Sequence, residues 1–225
     1  MISPTPFQFI HVAEAMSELG RDDLVLEWAS RGIADTTGWQ VHRLYDLACE
    51  THARLGHPLE VLRLRRSHHE RMPSSSTYAA LRRAAEELDA WEVERAGARA
   101  TLQENDIRGF IDALLSDADR DLAWDAAVAI PRAELDAKQW LRLAESREAE
   151  HPGDALGVYQ AVAEEVLQTA DRRAYQDGVR ILKKAAKAAD AAARIEDFSK
   201  LIARLREQYG RRPTLIAMLD KAGFR

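Results

Sequence analysis

The chain has 225 residues, of which 46% are hydrophobic and 31% charged, with eleven glycines and seven prolines. That composition belongs to a folded chain with a core of its own and excludes a disordered or collagen-like one. A formal net charge of −5 excludes a whole-molecule basic field.

In chain order, Thr5-Pro6-Phe7-Gln8 has the form of a capping box with Pro at the first helical position. Breaks follow at Leu19-Gly20, at Leu55-Gly56 ahead of His57-Pro58, and at Ser74-Ser75-Ser76. Later ones fall at Asp119, His151-Pro152-Gly153-Asp154, Asp171 and Gly210. Between them apolar residues step by three and four, as in Val41/Leu44/Ala48/His52/Leu55 and Ala155/Tyr159/Val162/Val166. Tyr175/Val179/Leu182/Ala186 follow the same rule with Arg180, Lys183, Lys184 and Lys187 turned outward, and Ile195/Phe198/Ile202/Leu205/Tyr209 continue it. Each stripe is the buried face of one helix. The predicted helices are 5–19, 22–34, 39–55, 58–71, 76–88, 91–103, 106–116, 120–130, 134–149, 153–169, 172–189, 192–209 and 212–222. No strand-like alternation competes with them.

Links this short make neighbouring helices antiparallel. Ala13 precedes Gly20 by the same interval as Cys49 precedes Gly56, and Leu19, Leu55 and Leu88 each close the first helix of a pair. The period is close to the roughly 34 residues of a tetratricopeptide unit, with Asp89 standing where a third Gly is expected. The expected fold is all-α, a right-handed α-α superhelix: a tetratricopeptide-like solenoid of antiparallel helix pairs. Residues 1–105 form its N-terminal half of three degenerate pairs, and residues 106–225 a C-terminal half continuous with it.

His68-His69-Glu70 is the first place to look for metal or acid–base chemistry. Adjacent histidines on a helix diverge by about 100°, and no His-Glu-x-x-His pattern is present. His68 falls on the Val61/Leu64 stripe, and His69 is expected to face solvent. Asp117, Asp119 and Asp121 alternate like calcium ligands, but Leu122 and Val128 stand where the loop needs Gly and Glu. They read as acids favoured at a helix start. Cys49, the single cysteine, occupies a small-residue packing position, so no disulfide within the chain and no cysteine-rich zinc site follow. Catalytic, metal and cofactor residues are therefore expected to be none.

Two basic stretches remain: Arg63, Arg65 and Arg66 with His69, and the Lys200–Arg225 segment, whose seven basic residues face two acids. Their bland explanation is a solvated face; their functional one is a contact surface for an acidic protein or for phosphates. The candidate interaction residues are Arg63, Arg65, Arg66, His69, Arg204, Arg211 and Arg212. Of the five tryptophans, one exposed in a groove would anchor a partner. The start of the chain lacks a basic-then-apolar leader, and no run approaches the ~20 apolar residues of a membrane helix. A cytoplasmic protein is expected, with a protein partner first, a nucleic acid second, and no membrane or small-molecule substrate.

Trp140-Leu141-Arg142-Leu143-Ala144, His151-Pro152-Gly153-Asp154-Ala155-Leu156 with Tyr159, and Arg172-Arg173-Ala174-Tyr175 resemble the C-terminal helical region of bacterial SWIM zinc-finger proteins. Phe198, the ending Arg211-Arg212-Pro213 to Leu219-Asp220-Lys221-Ala222-Gly223 and the two early Leu-Gly turns fit as well. The resemblance covers nearly the whole chain and implies a tetratricopeptide-type scaffold behind a zinc module of Cys-x-Cys…Cys-x-His pattern, associated with binding DNA or protein. With one cysteine this sequence lacks that module. It is then expected to be a piece of a longer zinc-finger protein or a stand-alone relative, and no metal ligand carries over.

Overall fold

A computed structural model describes residues 5–225, so the first four residues on which the absence of a leader was partly argued lie outside the described residues. Among the described residues are thirteen α-helices and no strand. The first six are α1 (Pro6–Glu18), α2 (Asp22–Asp35), α3 (Val41–Arg54), α4 (Pro58–Arg71), α5 (Ser75–Glu86) and α6 (Trp91–Asn105). Next come α7 (Ile107–Ser116), α8 (Arg120–Val128), α9 (Ala137–Arg147) and α10 (Pro152–Gln168). The last are α11 (Arg172–Ala191), α12 (Ile195–Gln208) and α13 (Pro213–Lys221). Every predicted helix is present, and consecutive helices pack on one another, so the fold is the expected all-α helical-repeat one. The chain divides into two compact units, one ending at Ala113 and one beginning at Leu114, a division that falls within α7.

Local chemistry explains where the helices begin. Thr5 N–H donates to Gln8 Oε1 at 3.1 Å in the capping box before α1. Ser74, Asp136 and Asp171 accept from the N–H groups of Thr77, Gln139 and Ala174 at 3.2, 2.8 and 2.7 Å. These bonds satisfy donors that a helix start otherwise leaves without partners. The Asp136 cap moves the start of α9 to Ala137, later than the predicted 134, and a single 3₁₀ turn at Arg132–Glu134 precedes it.

The helix ends carry the repeat. Gly20 and Gly56 have φ of +69° and +73°, and Asp89, at the matching place in the third pair, has +53°. At each, the left-handed residue donates to the carbonyl three residues back and the next residue to the carbonyl five back: Gly20 to Ser17 and Arg21 to Met16, Gly56 to Ala53 and His57 to His52, Asp89 to Glu86 and Ala90 to Ala85. This is the Schellman closure, which an L-residue forms only against its side-chain sterics. Ala118 (φ +62°) and Ala193 (φ +54°) close α7 and α11 in the same way without a glycine. Ala193 also delays α12 to Ile195, which is 56% exposed rather than part of the buried stripe.

In the first unit, Ala13, Val25 and Leu47 pack with Met16 and Trp28 where α1, α2 and α3 meet. A second cluster centres on Tyr78, Leu81, Trp91 and Leu102. In the second unit, α10 packs on α9 and α11 and buries Leu156, Tyr159, Val162 and Leu167. Each fully buried leucine contributes roughly 2 kcal/mol of apolar transfer. At Gly178 of α11 an added Cβ would lie 2.5 Å from Leu167, so hydrogen in place of a side chain is what lets α10 and α11 approach.

Candidate interaction surfaces

The basic cluster of α4 is neutralised from within the first unit. Arg63 pairs with Glu60 at 2.8 Å, one turn back on the same helix. Arg65 donates to Asp46 of α3 at 2.6 Å, and Arg66 grips Glu94 of α6 with two bonds of 2.6 and 2.9 Å. That forked contact holds the Glu94 carboxyl below its ordinary range. Farther along, Arg71 donates to the carbonyls of Ile33 and Thr36. Arg65, Arg66 and Arg71 fasten α4 to its neighbours, whereas Arg63 is paired within α4 itself.

His69 corrects the reading that placed it toward solvent. It is 1% exposed, its Nε2–H donates to the Ala98 carbonyl at 2.9 Å, and Nδ1 faces Thr77 Oγ at 3.0 Å. Strict periodicity misplaced it because α4 is covered on two sides, by α3 and by α5 with α6. His68 is buried too, with its ring stacked on Tyr45 at 4.3 Å and Nε2 2.6 Å from Nδ1 of His42. Its own Nδ1 meets no partner, and burial first, then His42, presses its pKa down to about 4. Both buried rings are held neutral. Among the described residues no group of three or more His, Cys, Asp or Glu is placed to hold a metal ion.

Asp121, in the first turn of α8, receives Arg147 at 2.6 Å, while Arg147 Nε reaches Asp154 at 3.1 Å. The Arg147 side chain is buried and lies over the Trp124 ring, so Arg147 links α8, α9 and α10, with Asp121 as its exposed partner on α8. Cys49 of α3 is buried, and burial pushes its thiol up to about 11, which keeps it protonated at neutral pH.

The C-terminal basic residues divide. Arg204 pairs with Glu164, and Arg206 bonds Asp220 and the Phe224 carbonyl at 2.8 Å each. Arg212 donates to the Leu167 carbonyl at 2.8 Å with its guanidinium 4.4 Å from the Tyr209 ring centre, tying the start of α13 to the end of α10. Arg211 alone among the named candidates of this segment is exposed and outside any ion pair of the described residues.

A further basic surface, outside the candidate residues, lies between α11 and α13. A groove of about 420 Å³ is floored by Val179, Met218 and Ala222 and edged by Arg172, Lys183 and Lys221. It runs on into a second hollow of about 780 Å³ that shares Arg172, Met218 and Lys221 and reaches Tyr175 and Thr214. Arg180, also on the rim, is paired with Asp177 at 3.0 Å. Arg172, Lys183 and Lys221 are exposed, and no carboxylate of the described residues pairs with them. The sequence placed Lys183 on the outer face of its helix and counted Lys221 in the basic tail. What it could not supply was the packing of α13 on α11 that brings the two together.

Of the tryptophans, Trp91 and Trp140 are buried, Trp28 and Trp124 are half-buried, and Trp39, in the turn before α3, is 77% exposed. No helix among the described residues is long and apolar enough to cross a membrane. The chain matches no protein-family model and no curated protein.

Proposed function

We propose that this chain is a non-catalytic helical-repeat scaffold that binds another protein, working in the cytoplasm as the C-terminal part, or a stand-alone relative, of a SWIM zinc-finger protein. The observation that carries the reading is the groove between α11 and α13, where an apolar floor and cations without internal partners share one surface. Apolar carbon open to a partner supplies burial, and unpaired cations beside it select a partner of complementary charge. The nucleic-acid reading is weaker on the same grounds. Arg63, Arg65, Arg66 and Arg204 already face carboxylates, so each would have to give up a partner to meet a phosphate.

Crosslinking of the full chain in native lysate, followed by purification under denaturing conditions, tests the reading. A protein recovered in stoichiometric amount, and lost when groove side chains are truncated, is the expected result. Recovery of nothing above a control protein of equal charge contradicts it.

A further inference from the structure

We infer that the α11–α13 groove is a docking site for an acidic amphipathic helix of about three turns, a partner chemistry that rests on the scaffold reading above. From Arg172 to Lys183 the groove follows α11 over eleven residue steps, about 16 Å at ~1.5 Å per residue. An amphipathic helix of similar length lays one aliphatic stripe into such a trough, through residues spaced by three and four. The floor suits that stripe. Val179, mostly buried on α11, and Ala222, at the C-terminal cap of α13, are small, and Met218, half-buried, has an unbranched side chain that adjusts to the shape laid on it.

The rim selects the sign of charge. Arg172 and Lys183 stand on the α11 side and Lys221 on the α13 side, so a seated helix would have a cation along each flank. The acids nearby are engaged elsewhere: Asp171 accepts the Ala174 N–H, Asp177 holds Arg180, and Asp220 holds Arg206. Glutamates or aspartates bordering the aliphatic stripe would therefore complete three unpaired cations, and lysines there would be repelled.

A nucleic acid fits the groove less well. Single strands need exposed rings on which bases stack. Among the described residues, the one ring lining the hollows, Tyr175, is 7% exposed and has the Arg212 guanidinium 6.0 Å from its centre. The floor offers aliphatic carbon instead.

The test uses the full chain and a fluorescent synthetic peptide of about 14 residues, four turns at 3.6 per turn, with leucines at helical spacing bordered by glutamates. The comparison probes are the same peptide with every glutamate replaced by lysine, and an oligothymidine of equal length. Anisotropy is expected to show saturable binding of the acidic peptide at least tenfold tighter than of either control, weakening as salt is raised. The double variant K183E/K221E, at exposed positions and checked for unchanged helicity by circular dichroism, should lose that binding by at least tenfold, while E207Q, outside the groove, should keep it. Equal binding of acidic and basic peptides, tighter binding of oligothymidine, or indifference to K183E/K221E overturns the assignment. If the peptide fails while the crosslinked protein partner is still recovered, only the acidic-helix docking falls. If nothing is recovered either, the scaffold reading falls with it.

Discussion

The arginines of α4 and the cations edging the α11–α13 groove look alike in sequence and serve opposite ends in the structure. Arg65 is 17% exposed and bonded to Asp46, and Arg66 is held by Glu94, so their charge is used in joining helices. Arg172, Lys183 and Lys221 keep theirs free beside apolar carbon. A basic run within one helix is therefore a poor guide to which cations stay unpaired, because each is claimed by whichever carboxylate the fold brings near.

The sharpest way to break this comparison is to remove a side chain from each region. His69→Ala leaves the Ala98 carbonyl and Thr77 hydroxyl without their ring partner and opens a cavity, so it should cost about 3 kcal/mol, read as a lower urea midpoint. Substitution of Lys183 or Lys221 should leave that midpoint unchanged within ~0.5 kcal/mol, as exposed positions do. An unaltered midpoint for His69→Ala would mean that α4 is less committed to packing than its contacts state.

Acid should act on the α4 region first. His68 takes up a proton at about 4 when buried, against about 6.5 for an unfolded imidazole. Between those values the unfolded chain binds more protons, so stability is full above about pH 6.5 and falls toward pH 4, by up to roughly 3 kcal/mol. The charged and titratable groups around the ring are His42, Asp46 and Arg65, with His69 next to it on α4. Urea midpoints at several pH values should show the fall, and His68→Phe should reduce it, with the buried His69 adding a loss of the same sign. A slope unchanged in His68→Phe would assign the acid sensitivity elsewhere.

The smallest effect belongs to the turns. Ala118→Gly and Ala193→Gly relieve left-handed L-residues and should each stabilise the chain by about 1 kcal/mol. Thermal melts of the two variants against Gly20→Ala, which should lose a similar amount, check the equivalence of the repeat ends.

The fold was readable because apolar spacing and punctuation coincided. Gly20 and Gly56 marked turns outright, and Asp89 fell into place by interval, an acid that tolerates the left-handed conformation better than most L-residues though less well than glycine. Burial was readable where one helix face packs, as for Val179 and Leu182, and failed where neighbours cover two faces, as for His69. It failed also where a turn shifts a helix start, as for Ile195. The groove was not readable, since Lys183 and Lys221 are 38 positions apart and meet only through the packing of α13 on α11.

Hydrogen–deuterium exchange of the full chain, with and without the acidic peptide at saturation, compares the two regions in one experiment. Slowed exchange confined to residues 172–183 and 214–222, with residues 60–71 unchanged, is the predicted result. Slowing along 60–71, or none at the groove, would contradict it.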